Sequence, residues 1–213
     1  MKIGILGSGV VGKTLAQGFA KHRYKVMIAS RDANKLKEFK EKEKILVGNF
    51  EETTKFADLI VLAVKGNAAK EALKIVKENL NNKIIIDTTN PIVDQAPENG
   101  VLKFFTSLDK SLMEELQREF PQARFVKAFK SIGNAFMVNP DFNGQKPTMF
   151  ICGNDKEAKE EVSNILNIFG FEVEDMGKVE AARAIEPLCI LWCIPGFLKN
   201  DWSHAFKLLK KQS

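Results

Sequence analysis

Gly7, Gly9 and Gly12 stand in GxGxxG spacing within KIGILGSGVVGKTLAQGFAKHRYKVMIASRD, which runs from Lys2 to Asp32. The residues before them are apolar and strand-like, those after them have helical periodicity, and a second apolar stretch ends at Ser30-Arg31. In that setting each glycine has its own task. Gly7 permits a tight turn, Gly9 lets a pyrophosphate come up to the backbone, and Gly12 lets the helix press against the strand. Free N–H groups at the helix start and the helix dipole favour negative charge there. The ligand this spacing implies is a dinucleotide.

Ser30-Arg31 selects which one. An acidic residue at the end of the second strand would accept hydrogen bonds from a ribose 2′-hydroxyl and would repel a 2′-phosphate. A hydroxyl and a guanidinium suit phosphate oxygens instead. One hydrogen bond to a charged group contributes about 1.5–3 kcal/mol, roughly 10- to 150-fold in affinity. NADP(H) is therefore the expected cofactor, with Lys35 adding a second positive group and Asp32 capping the next helix.

Two later strand ends belong on the same edge of a parallel sheet. LIVLAV closes on Ala63-Val64-Lys65, where Val64 packs on ring or ribose. IIID leads into Thr88-Thr89-Asn90-Pro91. Asn90 offers an amide to ribose hydroxyls or to the nicotinamide carboxamide, and Pro91 stiffens the turn, with cis and trans both open.

These positions need a scaffold, and the pattern supplies one. Strand and helix alternate: Lys2–Leu6, Val10–His22, Lys25–Ala29, Ala33–Glu43, Ile45–Val47, a short helix or turn at Asn49–Ala57, Leu59–Val64, Ala68–Asn79 and Lys83–Asp87. Strands such as LIVLAV and IIID are almost wholly apolar, as strands covered on both faces must be. The fold class is α/β, a Rossmann-type doubly wound, mainly parallel sheet. A long loop follows Asn90, then helix 109–120, strand 124–128, strand 148–152, helix 156–169 and strand 172–175, read as an extension of the same sheet. Residues 1–178 form the NADP-binding domain. Residues 179–213 form a short, apolar C-terminal helical segment, with Pro187 starting or kinking a helix and Pro195-Gly196 ending one.

The bulk numbers exclude several classes. The net charge is +5 over 213 residues, but the 32 basic and 27 acidic residues are mixed, so no nucleic-acid surface is expected. The run Lys35–Lys44 reads as a solvated helix face. No unbroken apolar stretch is long enough to cross a bilayer, no secretory leader is expected, and the expected location is cytoplasmic. Three scattered cysteines make no disulfide framework, and Cys189 and Cys193 read as buried thiols on one helix face. With two histidines in the chain, no metal site is expected.

Three stretches together resemble one family: GILGSGVVGKTLAQGFAKHRYKVMIASRD, VKAFKSIGNAFM, and CGNDKEAKEEVSNILNIFGFEVEDMGKVEAARAIEPLCILW. They are similar to the NADP oxidoreductases dependent on coenzyme F420, a deazaflavin, a family with relatives fused as ferric reductase domains in membrane proteins. The resemblance implies hydride exchange between NADP(H) and a flavin or deazaflavin acceptor. It carries cofactor contacts onto Gly7, Ser8, Val10, Val11, Ser30, Arg31, Val64 and Asn90. It puts the acceptor pocket at Lys130, Ile132 and Gly133 and on the helical tail around Pro187 to Ile194, with Pro187 and Leu191 as its named positions there. Lys130 replaces an asparagine frequent in relatives. It is the candidate catalytic residue, able to stabilise a negative reduced acceptor, and a surface or structural lysine is the competing reading.

The expected partner is a small-molecule redox acceptor, and a homodimer through the apolar tail is expected. Two alternatives share the glycine features: an imine or oxo-acid reductase of the pyrroline-carboxylate type, and an NADPH-sensing module without turnover.

Overall fold

The computed structural model of the chain describes residues 1–43 and 45–211. Lys44, the last residue of the charged run, and residues 212–213 of the C-terminal segment lie outside the described residues. Strand β1 (Lys2–Leu6) leads through the glycine turn into helix α1 (Val10–Lys21) and strand β2 (Lys25–Ala29). A 3₁₀ turn (Ala33–Leu36), capped by the Asp32 carboxylate, precedes α2 (Lys37–Glu43). Then come β3 (Leu46–Gly48), α3 (Phe50–Phe56), β4 (Leu59–Leu62), α4 (Gly66–Ile75) and β5 (Ile84–Asp87). After the loop, α5 (Leu112–Glu119) returns the chain to β6 (Arg124–Lys127).

The six strands form one parallel sheet in the order β3-β2-β1-β4-β5-β6. Each crossover helix lies on one of two faces, as the wholly apolar strands require. Ile3, Ile5 and Ile28 pack with Leu15 and Phe19 of α1 on one side. Leu6, Ile60, Leu62 and Ile85 pack with Leu73 of α4 and Leu116 of α5 on the other. Register aligns Ala29, Leu6, Leu62, Asp87 and Lys127 in one row across the carboxyl ends of the strands. The next residue of each strand therefore emerges at one edge.

The expected single extended sheet is instead two sheets. Strands β7 (Thr148–Ile151) and β8 (Glu172–Asp175) pair in parallel across α6 (Lys156–Ile168), forming a separate two-stranded unit. One antiparallel bridge, Lys127 to Cys152, joins it to β6. Its core is continuous with the α1 face through Met149, Ile151 and Phe169.

In the tail, the expectation for Pro187 holds and that for Pro195-Gly196 does not. Pro187 stands between α7 (Ala182–Ile185) and α8 (Leu188–Lys199), where a proline costs no hydrogen bond. Pro195-Gly196 does not end α8. The helix runs through Pro195 and stops at Asn200, which adopts a left-handed φ of 54°. Trp202 packs on the bare Cα of Gly196, so tertiary contact outweighs the local breaking tendency. Residues 201–211 are not helical. They run back along β7, where the Thr148 N–H donates to the Phe206 carbonyl and Leu208 N–H to the Thr148 hydroxyl, both near 3.0 Å or below. Together Val179–Lys199 make 21 residues of helix containing an 18-residue window of mean hydropathy 1.4, long and apolar enough to cross a membrane by length and composition, although no unbroken apolar run in the sequence reached that length.

Candidate active site at the carboxyl edge of the sheet

The glycine turn closes where β1 ends. Gly7 has φ 129°, a conformation L side chains avoid, and a Cβ there would overlap the Ala63 carbonyl. A Cβ on Gly12 would overlap the Gly7 carbonyl, so α1 lies directly on the turn. A Cβ on Gly9 would meet nothing within 4 Å. The space in front of Gly9 is open, of the kind that lets a phosphate come up to the backbone. The start of α1 has neither a side-chain cap nor an acidic residue in its first turn, so its N–H groups and dipole remain available to an anion.

Gly7, Ser8 and Gly9 border a cavity of about 610 Å³ with Ser30, Arg31, Asp32, Lys35, Ala63, Val64 and Lys65. Ser30 is buried and accepts from the Ser8 hydroxyl (2.9 Å) and the Asp32 N–H (3.2 Å). Having accepted twice, it keeps its own proton to donate. Arg31 is exposed and has no carboxylate within ion-pair distance among the described residues. Asp32 is occupied by the Asn34 N–H at 3.0 Å. Val10, 64% exposed, and Pro91 are outside this lining. Pro91 has a trans peptide bond and is buried, its carbonyl accepting from Phe105 N–H at 2.9 Å.

A second cavity, about 330 Å³, lies beside the first. Val11, Thr88 and Asn90 line one side, and Lys130, Ile132, Gly133, Cys189, Trp192, Cys193 and Trp202 line the others. The side-chain oxygen of Asn90 is buried without a hydrogen-bond partner among the described residues. A primary carboxamide such as that of nicotinamide satisfies an acceptor of this kind. With the open Gly9 cradle and the Ser30-Arg31 pair, this orphan shows that the residues fit NADP(H).

Pro187 and Leu191 were expected in the acceptor wall, and they are outside it. Leu191 is 55% exposed. Helical phase turns Cys189, Trp192 and Cys193 inward, so positions two before and one or two after Leu191 face the cavity. Cys193 is half-buried rather than buried. Trp202 reaches the cavity from the non-helical tail, its ring 5.6 Å from that of Trp192. Trp192 in turn exchanges hydrogen bonds with His204: its indole N–H donates to the His204 carbonyl and its carbonyl meets the imidazole, both at 2.9 Å.

Beneath this cavity lies an ion cluster that the motifs did not announce. The Lys127 ammonium meets Asp87 at 2.7 Å, Glu186 at 2.6 Å and the Thr89 carbonyl at 3.0 Å, with almost no solvent exposure at any of the three charged groups. Burial alone would lower the Lys127 pKa, but Asp87 and Glu186 more than offset it and hold it above the ordinary lysine value. Burial would likewise raise Asp87, and Lys127 and Lys130 bring it below the usual carboxylate range. Glu186 also accepts from the Leu112 and Met113 N–H groups at the start of α5 (3.0 and 3.1 Å). The signal available in sequence was the pair of apolar neighbourhoods around VKAF and IEPL, whose charged members have nowhere dry to go unpaired.

Lys130 lies three residues on. It is 3% exposed, so it is no surface lysine, and its ammonium donates to the Thr89 carbonyl. Burial first, then repulsion by Lys127, push its pKa down to about 7.

Comparison with known proteins agrees with this geometry. The family described as NADP oxidoreductase, coenzyme F420-dependent, matches residues 2–91. An F420-dependent NADP reductase of Methanothermobacter marburgensis is 30% identical, the match covering 94% of this chain and 96% of that protein. The crystal structure of an Arthrobacter sp. FB24 protein described as an F420-dependent NADP-reductase superposes with a TM-score of 0.91 at 30% identity, covering 99% of this chain and all of the other. An NADPH-dependent reductive aminase of Aspergillus oryzae is also 30% identical, over 98% of this chain and 63% of its own length. The chain belongs to the coenzyme F420-dependent NADP oxidoreductase family and is an NADP-dependent oxidoreductase.

Proposed function

We propose that the protein transfers hydride between NADP(H) in the glycine-turn groove and a flavin-like or deazaflavin ring in the adjacent cavity. The observation that carries this reading is the second cavity itself. Val11 and Asn90 bound it on the cofactor side, and Gly133, Trp192 and Trp202 bound it opposite, which suits a flat heteroaromatic ring. NADPH supplies the hydride. The chain supplies position: the α1 start and Ser30-Arg31 hold the phosphates, and Asn90 accepts from the carboxamide and so fixes which face of the ring looks into the cavity. The two tryptophans and Ile132 exclude water, which reactant alignment at contact distance requires.

A test is turnover with NADPH and a panel of acceptors: coenzyme F420, FMN, a ferric chelate and a small cyclic imine, following loss of nicotinamide absorbance. Rapid oxidation with F420 or FMN supports the reading. Turnover of the imine alone would instead favour the second reading, imine reduction, to which the likeness to the reductive aminase lends weight. Tight NADPH binding without oxidation by any acceptor would favour an NADPH sensor. The proposal extends to a cytoplasmic setting and to a homodimer, a second copy covering the exposed Leu191, Phe197 and Leu198 of α8. Sedimentation at micromolar concentration tests the dimer, and a monomer there would refute it.

A further inference from the structure

Two buried lysines stand under the acceptor cavity, and they are partnered very differently. Lys127 has two carboxylates and a carbonyl around its ammonium. Lys130 has, among the described residues, the Thr89 carbonyl alone. An ammonium carries three donors, so two of its protons have no protein acceptor. The charged and titratable groups facing it are Lys127, Asp87, Glu186 and Cys189. Both carboxylates are already taken, Asp87 by Lys127 and by the N–H and hydroxyl of Thr89, Glu186 by Lys127 and the start of α5.

The fold does not require this lysine. Without it the Thr89 carbonyl would still accept from Lys127 at 3.0 Å. Yet the chain makes a costly turn just before it. Phe129, buried, has φ 61°, a conformation that is an outlier for a bulky residue and costs about 1–3 kcal/mol. Lys130 follows directly and lines the cavity beside the orphan oxygen of Asn90. A half-partnered amine that titrates near neutrality, at the wall of a cavity lined by Ile132, Trp192 and Trp202, is equipped to move a proton.

The geometry points to Lys130 as a catalytic residue that donates a proton to a ring nitrogen of the acceptor as hydride enters the conjugated ring system, at the bridging carbon of a deazaflavin or the equivalent nitrogen of a flavin. This rests on the acceptor reading above. The new bond at that position, C–H in a deazaflavin and N–H in a flavin, takes the electron pair of the hydride. The displaced ring pair moves to nitrogen, and the new N–H bond takes the Lys130 proton. NADPH leaves as NADP⁺, and the neutral amine regains its proton from solvent. In the reverse direction the amine takes the proton back. The acceptor class is a fused heteroaromatic that gains hydride and proton together, as flavins and deazaflavins do and ferric chelates do not.

The test is a pair of pH profiles on the full chain with NADPH and coenzyme F420 or FMN as the probe. Wild type reduces the acceptor at a rate that falls as pH rises through about 7, and oxidises the reduced acceptor with NADP⁺ at a rate that rises through the same region. Lys130→Met loses both limbs and about 100-fold or more in rate at the favourable pH, while its NADPH affinity stays that of wild type. Lys130→Arg, which remains charged, also shows no limb near neutrality. Retention of the limb by Lys130→Met, with a rate within about threefold of wild type, overturns the proposal and leaves the acceptor reading intact. Wild type that oxidises NADPH with neither probe overturns the acceptor reading and the proposal with it.

Discussion

Lys127→Met removes the cation from between two carboxylates that have almost no water to fall back on, Asp87 at 0% and Glu186 at 2% side-chain exposure. Taking one partner out of a buried ion pair costs about 3–5 kcal/mol, because the charge left behind stays desolvated. Here the loss falls at the low end, about 3 kcal/mol, for two reasons. Asp87 keeps the N–H and hydroxyl of Thr89. Glu186 keeps two N–H groups at the α5 start, where the helix dipole favours an anion. For a chain of this size that corresponds to a melting temperature lower by about 6–12 °C.

The assay is thermal and urea unfolding at neutral pH and again near pH 5. Lys127 is the largest of the attractions that hold Asp87 below the usual carboxylate range, so the stability this pairing gives the wild type is present above that range and lost as pH falls, and the deficit of the variant shrinks with it. A second readout follows from the same charge. Repulsion by Lys127 is one of the causes that hold Lys130 down, so the neutral-pH limb of activity moves to higher pH in the variant. A variant melting within about 2 °C of wild type, with its limb unmoved, would refute the view that these four groups form one coupled cluster.

Arg31→Ala weakens NADPH binding by about tenfold or more and leaves NADH nearly unchanged; equal losses in parallel titrations would mean that the 2′-phosphate is read elsewhere. Gly133→Ala presses a methyl group against Trp192, whose ring carbon would lie 2.8 Å from the new Cβ, so KM for the acceptor rises while NADPH affinity holds, and an unchanged KM would remove Gly133 from the wall. Lys130→Met melts at or above wild type near neutral pH. The folded pKa of Lys130 lies below its unfolded value, so in the wild type this residue costs most stability at low pH. The gain from removing it fades as pH rises toward the ordinary lysine pKa. Destabilisation measured at neutral pH would mark Lys130 as structural.

Much of the cofactor half was legible because its determinants are local. Gly7, Gly9 and Gly12 act within one turn, and Ser30-Arg31 follows one strand later in a unit whose periodicity is unambiguous. The acceptor half was harder. Lys127, Asp87 and Glu186 come from β6, the end of β5 and the junction before α8, and no periodicity links positions so far apart. The stretch around Pro187 to Ile194 was placed at the cavity, but the phase of α8 turns Cys189, Trp192 and Cys193 inward and leaves Leu191 out. Trp202 entered the cavity from residues that looked helical, held by Gly196 and the ladder to Thr148. The separation of β7 and β8 was likewise invisible, since an apolar strand looks the same in either sheet.

A crystal of the protein grown with NADP⁺ and coenzyme F420 tests the account most directly. The expected density has the nicotinamide carboxamide on the Asn90 side-chain oxygen, and the deazaflavin ring against it between Gly133 and Trp192, a ring nitrogen within hydrogen-bond reach of the Lys130 amine. Density for the ring anywhere else, or a nicotinamide turned away from Asn90, would contradict it.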